Sequence, residues 1–361
     1  MAESLVRMAE QWGGLPRWPL ATSDSGSMIG TSADVVLAGS WLKGADDFDV
    51  VAAWPYMWDH ARGPVCCASR GGVEEYVSLG WVPADLTDGS VSKTQEYAWD
   101  DWALSNLASA LGHDAEAETL LAQSRTIVNL WNPETGFFSG RNADGSWVEL
   151  SSTTSWQDCY TEGNAWQHLW LTPHPDLLDE VMGGREAMLS RLEEFFALTL
   201  EDWEDNTLGY WLPLPYYWHG NEPDIHAAYL FALAGRPHLT QQWVRWIMET
   251  QYGLGPHGLP GNDDAGTLSA WYVWSALGFY PLAGSDRYVV GTPAFERAVV
   301  HLPAGDLVVT ATGLGRGHFV QSVEIDGVPL DEPWFTHDAI AGGGTLSFRL
   351  GAEPSDWGRT D

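Results

Sequence analysis

A mainly α chain that closes in a short β segment is the fold class this sequence predicts. Three observations carry it. Apolar residues recur at helical spacing through the first three quarters, no strand-like run interrupts them, and after Pro281 the pattern changes to short β-branched runs broken by turns. Glu96 to Leu111 shows the helical spacing: Tyr97, Leu104, Leu107, Ala108 and Leu111 fall three, four and seven residues apart and describe one face. Similar patterns run through Ala33–Leu42, Val50–Arg62, Glu116–Trp131, Gly163–Leu171, Arg185–Leu200, Pro223–Leu233, Leu239–Tyr252 and Thr267–Leu277. Gly, Pro, Asn and Asp loops separate them, so helical hairpins are expected to pack on one another. In the tail, Tyr288–Gly291, Ala298–Leu302, Leu307–Thr312, Phe319–Ile325 and Thr345–Leu350 read as strands, with turns at Asp326-Gly327 and Gly342–Gly344. The boundary is placed at residue 283: a helical domain over 1–283 and a small β-sandwich-like module over 284–361. No repeat at a fixed period is present.

The chain has 361 residues, more than one hydrophobic core usually serves, and its 45% hydrophobic content excludes disorder. It carries 22 Trp, most of them core filling, with the remainder suited to a sugar cleft because pyranose C–H groups pack on flat apolar rings. Seventeen Lys plus Arg stand against 49 Asp plus Glu, a formal charge of −32, and the lysines are Lys43 and Lys93 alone. Such a field repels polyanions, which argues against nucleic acid and anionic membrane surfaces as partners. Cys66 and Cys67 are adjacent and Cys159 stands alone, so the cysteines make no disulfide framework. No basic start followed by a sustained apolar run opens the sequence, and no window approaches a membrane span.

Three blocks concentrate acids and amides beside glycines and aromatics: Tyr160–Gln167, His219–Pro223 and Gly261–Gly266. That chemistry suits gripping a sugar and a hard cation better than filling a core. Glycoside hydrolysis needs two carboxyl groups, and here isolated acids occupy glycine-lined junctions between loop and helix. Glu162 precedes Gly163, and Asp263 and Asp264 follow Gly261 and Asn262. Each also has a plainer reading, since Glu near a helix start answers the helix dipole and Asp is a common N-cap. With Asn221 and Glu222 these residues offer oxygen ligands, which suits Ca²⁺; His219 and His226 are possible zinc ligands, but no HExxH or CxxC spacing supports zinc. Residue chemistry alone therefore reaches an all-α carbohydrate enzyme, calcium-dependent in its best reading.

The blocks Tyr-Thr-Glu-Gly-Asn-Ala-Trp-Gln (160–167), His-Gly-Asn-Glu-Pro (219–223) and Gly-Asn-Asp-Asp-Ala-Gly-Thr-Leu-Ser-Ala-Trp-Tyr-Val (261–273) resemble the signatures of glycoside hydrolase family 92. Further similar runs are Val91–Thr94 with Glu96-Tyr97 and Asp100–Trp102, Asn132–Phe137, Ala276–Pro281, Gly284–Asp286 and Gly343–Leu346. They occur in order from about residue 13 to about residue 357. The family comprises calcium-dependent, inverting exo-α-mannosidases, so the resemblance implies an (α/α)6 barrel whose inner helix starts and loops form a mannose site. It assigns Glu162 as general acid and Asp264 as general base, with Asp263 and Asn262 in support. Asn221, Glu222, Asn262 and Asp263 become the candidate Ca²⁺ surroundings. Trp166, Gln167, Asp100, Asp101 and His219 become the candidate substrate contacts, and a mannose-containing oligosaccharide, of N-glycan type among others, the substrate. A secreted or cell-envelope location is likewise implied.

Three departures from the family pattern stand out. Members carry a β-sandwich domain ahead of the barrel, whereas this chain opens where the barrel is under way; an apolar face for that domain is expected near Trp12, Leu15 and Trp18. Gly39 stands where the family usually has Asp. Glu201–Tyr217, where residues selecting the leaving sugar are often placed, is acidic and Trp-containing but has no His. Two rival readings belong to other classes: a carbohydrate-binding module, which would not need both Glu162 and Asp264, and a catalytically incompetent fragment, which would keep every motif.

Overall fold

The computed structural model describes residues 1–20, 23–65, 68–205, 214–220 and 222–360. Cys66, Cys67 and Asn221 lie outside the described residues, as does much of the expected leaving-sugar segment. The chain is mainly helical with a sheet-containing C-terminal part, and contacts divide it into two compact units: Met1–Gly184 with Ala283–Ser285, and Arg185–Leu282 with Asp286–Asp361.

The first unit contains helices α1 (Ala2–Trp12), α2 (Ser32–Leu42), α3 (Val50–Arg62), α4 (Val73–Leu79), α5 (Ser90–Leu111), α6 (Asp114–Ser124) and α7 (Pro175–Met182). Two minimal hairpins interrupt them, β1 (Pro19–Leu20) with β2 (Ser23–Asp24) and β3 (Trp131–Asn132) with β4 (Phe137–Phe138). Val6, Leu37, Met57, Leu104, Leu107 and Leu120 bring α1, α2, α3, α5 and α6 into one core. The α5 face read from spacing is therefore the buried one. Of the expected docking face, Trp12 and Trp18 are 41% and 48% exposed, but Leu15 is fully buried in this core. Residues 283–285 join this unit because Trp99 Nε1 donates to Ala283 O at 3.2 Å, Asn106 Nδ2 donates to Gly284 O at 3.2 Å, and Lys43 Nζ donates to Ser285 O.

The second unit holds α8 (Arg185–Asp205), α9 (Ala227–Leu233), α10 (Pro237–Thr250) and α11 (Thr267–Leu277), then eight strands. Strands β5 (Phe279–Pro281), β6 (Arg287–Val290) and β11 (Trp334–Thr336) form an antiparallel sheet in the order β11-β6-β5. Strands β7 (Arg297–Leu302), β8 (Gly305–Thr312), β9 (Phe319–Ile325), β10 (Val328–Leu330) and β12 (Gly344–Gly351) form another, ordered β10-β9-β12-β8-β7, in which β12 runs parallel to β8. Phe279, Tyr288 and Phe335 from one sheet and Val309, Val323 and Phe348 from the other share one apolar core, joined by Trp274 and Leu277 of α11. The strands are tied to α10 as well: Val320 N donates to Gln241 Oε1 at 2.9 Å and Arg245 donates to Pro293 O at 2.7 Å.

Three helix expectations need correction. Glu116–Trp131 is α-helical only to Ser124, where α6 ends, and continues as a 3-10 helix over Arg125–Leu130. Gly163–Leu171 is not an α-helix but a loop closing in a 3-10 turn at Gln167–Leu169. Gly163 sits at φ +70°, outside the helical region, and Asn164 Oδ1 accepts from Trp166 N and Gln167 N at 3.0 and 3.2 Å as an N-cap does, so the turn starts only after Asn164 and runs no further than Leu169. Likewise Pro223–Leu233 divides into a 3-10 turn, Glu222–Asp224, and α9.

Candidate active site

Within the first unit the Tyr160–Gln167 block is clamped against the start of α5. Gly89, the left-handed N-cap of that helix, leaves space that a Cβ would deny to the Thr161 hydroxyl. Ser92 Oγ accepts from Thr161 N at 2.9 Å and contacts His168 Nε2 at 3.2 Å. His168 Nε2 donates to the main-chain oxygen of Glu162 at 2.6 Å, its Nδ1 lies 2.9 Å from Gln95 Oε1, and its ring stacks on Tyr160 with centroids 4.9 Å apart. Both ring nitrogens therefore face carbonyl oxygens, which favours the protonated ring. Burial acts in the opposite direction and pulls its pKa down to about 4, with the Glu162 carbonyl opposing that pull. The outcome is a loop whose acid-bearing residue is fixed by its main chain, with Glu162 itself partly exposed. Trp166 is nearly buried, edge-on to Phe137, and Gln167 is buried with its side chain against Gly163.

Asp100 and Asp101 lie elsewhere in this unit and are buried. Asp100 Oδ2 accepts from Thr31 N and Oγ1 at 2.7 and 2.9 Å. Asp101 takes Arg70 Nη1 at 2.6 Å and the Tyr76 hydroxyl at 3.1 Å. Burial drives the Asp100 pKa up to about 6, with Arg70 opposing, and raises that of Asp101 too, again against Arg70. Their carboxylates are thus occupied by the protein itself. At Gly39, a Cβ would come within 3.4 Å of Gly284 N, so the position where the family pattern has Asp packs against main chain.

The second unit brings the other two blocks together. A Cβ on Gly261 would lie 2.7 Å from Gly220 O, and one on Gly220 would lie 2.8 Å from Pro260 O and 2.7 Å from the Trp218 ring. Only glycine at both positions permits that approach. His219 is buried edge-on to Trp271, with Nδ1 2.6 Å from the Tyr217 hydroxyl and Nε2 2.6 Å from the Tyr252 hydroxyl. Burial lowers its pKa to about 3.

Asp263 and Asp264 differ sharply. Asp263 accepts from Ser269 N and Oγ at 2.9 Å each, and its main-chain oxygen accepts from Thr267 N at 2.7 Å, so it holds the first turn of α11 from ahead of the N-cap Gly266. Asp264 begins a run of three left-handed residues, φ +40° at Asp264, +59° at Ala265 and +96° at Gly266. Its side chain is exposed and accepts no hydrogen bond from the described residues. Two non-glycine residues in that region cost free energy that the surrounding structure must supply, a pattern found at functional loops.

Oxygen donors dominate around the joined loops: Glu222 in its 3-10 turn, Asn262 and Asp263. That donor chemistry fits a hard cation such as calcium. Among the described residues no group of three His, Cys, Asp or Glu side chains could hold a metal ion, so amide, main-chain or water oxygens have to complete such a site. Sequence reasoning passed over Asp224, His168, Tyr252 and Ser269. Asp224, two residues past Glu222, is buried, accepts from Trp218 N at 3.1 Å through Oδ2, and leaves Oδ1 without a hydrogen-bond partner; burial pushes its pKa well above the carboxylate range. Its place directly after the His219–Pro223 block was the available signal.

A mainly helical chain with a β segment, and acids set in glycine-lined loops, has the make-up of a glycoside hydrolase. Residues 1–352 match the model of the glycosyl hydrolase family 92 catalytic domain, and the chain belongs to that family. It resembles a solved family GH92 inverting mannosidase from Bacteroides thetaiotaomicron at 31% identity and TM-score 0.89, covering 100% of this chain and 51% of that one. A GH92 α-mannosidase of the same organism, solved with mannoimidazole, is 30% identical with TM-score 0.87, covering 98% and 48%. A fungal protein described as an uncharacterized secreted glycosidase, from Arthroderma benhamiae, is 26% identical over 96% of this chain and 48% of its own. The chain thus spans about half the length of these relatives. Among the described residues no helix is long and apolar enough to cross a membrane.

Proposed function

We propose that this chain is the catalytic portion of an exo-α-mannosidase that removes terminal α-linked mannose with inversion. The observation that carries the reading is the match of the family's catalytic-domain model over residues 1–352, together with the likeness to two mannosidases. Glu162 is the general acid, protonating the departing glycosidic oxygen from a loop fixed by His168 and Ser92. Asp264 is the general base that takes a proton from the attacking water. Its exposed, unoccupied carboxylate supports that role over Asp263, which we assign to holding the loop through Ser269.

Trp166 lines the sugar site from the acid's loop, while the burial and partners of Gln167, Asp100, Asp101 and His219 support giving them the task of bracing its walls. Asn221, Glu222, Asn262 and Asp263 are the residues that would hold calcium, which when bound supplies positive charge to the sugar's vicinal hydroxyls and favours ring distortion. In this reading the helices up to residue 283 form an (α/α)6 barrel and 284–361 its β module, with a separate β-sandwich domain as companion. The substrate is a mannose-capped oligosaccharide.

The test is release of mannose from an aryl α-mannoside and from an α-mannobiose, with the anomer of the product read by NMR. β-Mannose as first product is expected. Release of α-mannose, or of a different sugar in preference, would overturn the reading. Chelation should also lower the thermal midpoint, because a ligand held only by the folded state stabilises it, by about 2.7 kcal/mol at a hundredfold excess over Kd. An unchanged midpoint and undiminished turnover in chelator would remove calcium from the account.

A further inference from the structure

Residues 150–157, in the first unit, carry no charged side chain although the chain has a formal charge of −32, and they lead into the block that bears Glu162. Their loop is braced from within. Gln157 Oε1 accepts from Ser151 N and Oγ at 3.0 and 3.1 Å, and its Nε2 donates to Ser152 O. Ser152 Oγ accepts from Thr154 N and Ser155 N at 3.3 and 3.1 Å. The loop is also tied to the acid's block: Thr153 O accepts from Trp166 N at 3.3 Å, and Thr154 O accepts from Asn164 Nδ2 at 3.2 Å.

This frame presents Trp156. At 60% exposure it is the most exposed tryptophan among the described residues, and its indole makes neither a hydrogen bond nor a ring contact with any of them. In the same loop the hydroxyls of Thr153, Thr154 and Ser155 are likewise without a hydrogen-bond partner among the described residues. A rigid aromatic side chain on a braced loop offers a large contact area and loses little conformational freedom when something binds to it.

We infer that Trp156 is the stacking platform for a third sugar ring of the substrate, the ring beyond the leaving sugar, and that it takes a neutral pyranose. The inference rests on the role proposed for Glu162. The acid protonates the oxygen that the departing chain keeps, so that chain leaves across the acid's side of the site. The bonds through Thr153 and Thr154 fix this loop to that side. The chemistry of the ligand follows from that of the loop. A flat apolar ring packs against pyranose C–H groups, and an indole N–H with three uncommitted hydroxyls meets sugar hydroxyls as donor and acceptor. With no charged side chain in the run, an ionic ligand gains nothing there.

The test compares kcat/KM for a linear α-mannotriose and an α-mannobiose of the same linkage, which differ only in the third ring. The parent is expected to favour the triose about tenfold, equivalent to about 1.4 kcal/mol. Trp156→Ala should abolish that preference, and Trp156→Phe, which keeps a smaller apolar face, should retain part of it. Because the ring is exposed, both variants should fold, which an unchanged urea midpoint checks. A parent that treats the two sugars alike, or a preference that survives Trp156→Ala, would overturn the platform and leave the mannosidase reading standing. A loss shared equally by both sugars leaves the preference intact and counts against the platform in the same way. Absence of turnover of either sugar by the parent would overturn both readings.

Discussion

Tyr252 sets the tautomer of His219. The Tyr252 hydroxyl donates to Leu268 O at 2.9 Å, so it meets His219 Nε2 at 2.6 Å as an acceptor, and Nε2 carries the proton. His219 Nδ1 then accepts from the Tyr217 hydroxyl. One buried, neutral imidazole links the end of α10, the start of α11 and the loop at 217–220.

Removing the acceptor therefore strands a buried N–H. Tyr252→Phe should lower the free energy of unfolding by about 1–3 kcal/mol in a urea titration. A variant as stable as the parent would show that the ring is not held this way.

The same ring makes stability fall in acid. Its folded-state pKa, about 3, lies below the ordinary histidine value of about 6.5, so the unfolded chain binds the proton more tightly. The stabilisation from keeping His219 neutral is complete above about pH 6.5 and is lost toward pH 3, at up to about 1.4 kcal/mol per pH unit. Unfolding measured across pH 4–6.5 should show a shallower slope in His219→Asn than in the parent. Identical slopes would assign the acid sensitivity to other groups.

Asp263 and Asp264 should separate by assay. Asp263→Asn weakens the Ser269 contacts and should cost about 0.5–2 kcal/mol of stability, the range for losing a side-chain acceptor at a helix start. Asp264→Asn should leave stability nearly unchanged, since Asn tolerates the left-handed region well, while turnover falls by at least about 10²-fold. The reverse pattern, stability lost at 264 and turnover at 263, would exchange their roles.

Glu162→Gln should reduce turnover of an α-mannobiose by about 10²- to 10⁴-fold and that of an activated aryl mannoside by much less, because a good leaving group needs no proton. Equal losses on both substrates would end its assignment as the acid.

Helix spacing made α3, α11 and the buried face of α5 legible, because a core selects one stripe of each helix and that stripe survives in the sequence. It failed where backbone conformation decides. Gly163 adopts φ +70°, which keeps a helix from starting there, and apolar spacing carries no trace of that. Helices α4 and α7, of seven and eight residues, were missed because they are short, whereas α1 was missed although Val6 and Ala9 on its buried face have helical spacing. The three acid-bearing blocks were visible as composition, and the family signatures within them gave the acids their expected roles. Of the partners that brace them, Ser92 and Tyr252 were invisible because they act across the fold, Ser92 lying 76 residues from His168 and Tyr252 33 residues from His219. His168 and Ser269 lie only six residues from Glu162 and Asp263, a spacing that apolar periodicity does not mark. The helix-to-strand change was read near residue 283, and β5 begins at Phe279. The shared core of α11 and the two sheets depends on tertiary packing that no local pattern encodes.

The contact between Gly220 and Gly261 has a consequence for how this protein can change. Each loop forms the floor on which the other rests, so a methyl group at either position does not merely crowd its own turn but levers its neighbour aside. Substitutions in the two motifs should therefore be inherited as matched sets, and exchanging one loop alone with a relative should fail where exchanging both together succeeds. Adaptation to a new sugar is thereby channelled toward the parts of the chain that have no such interlock.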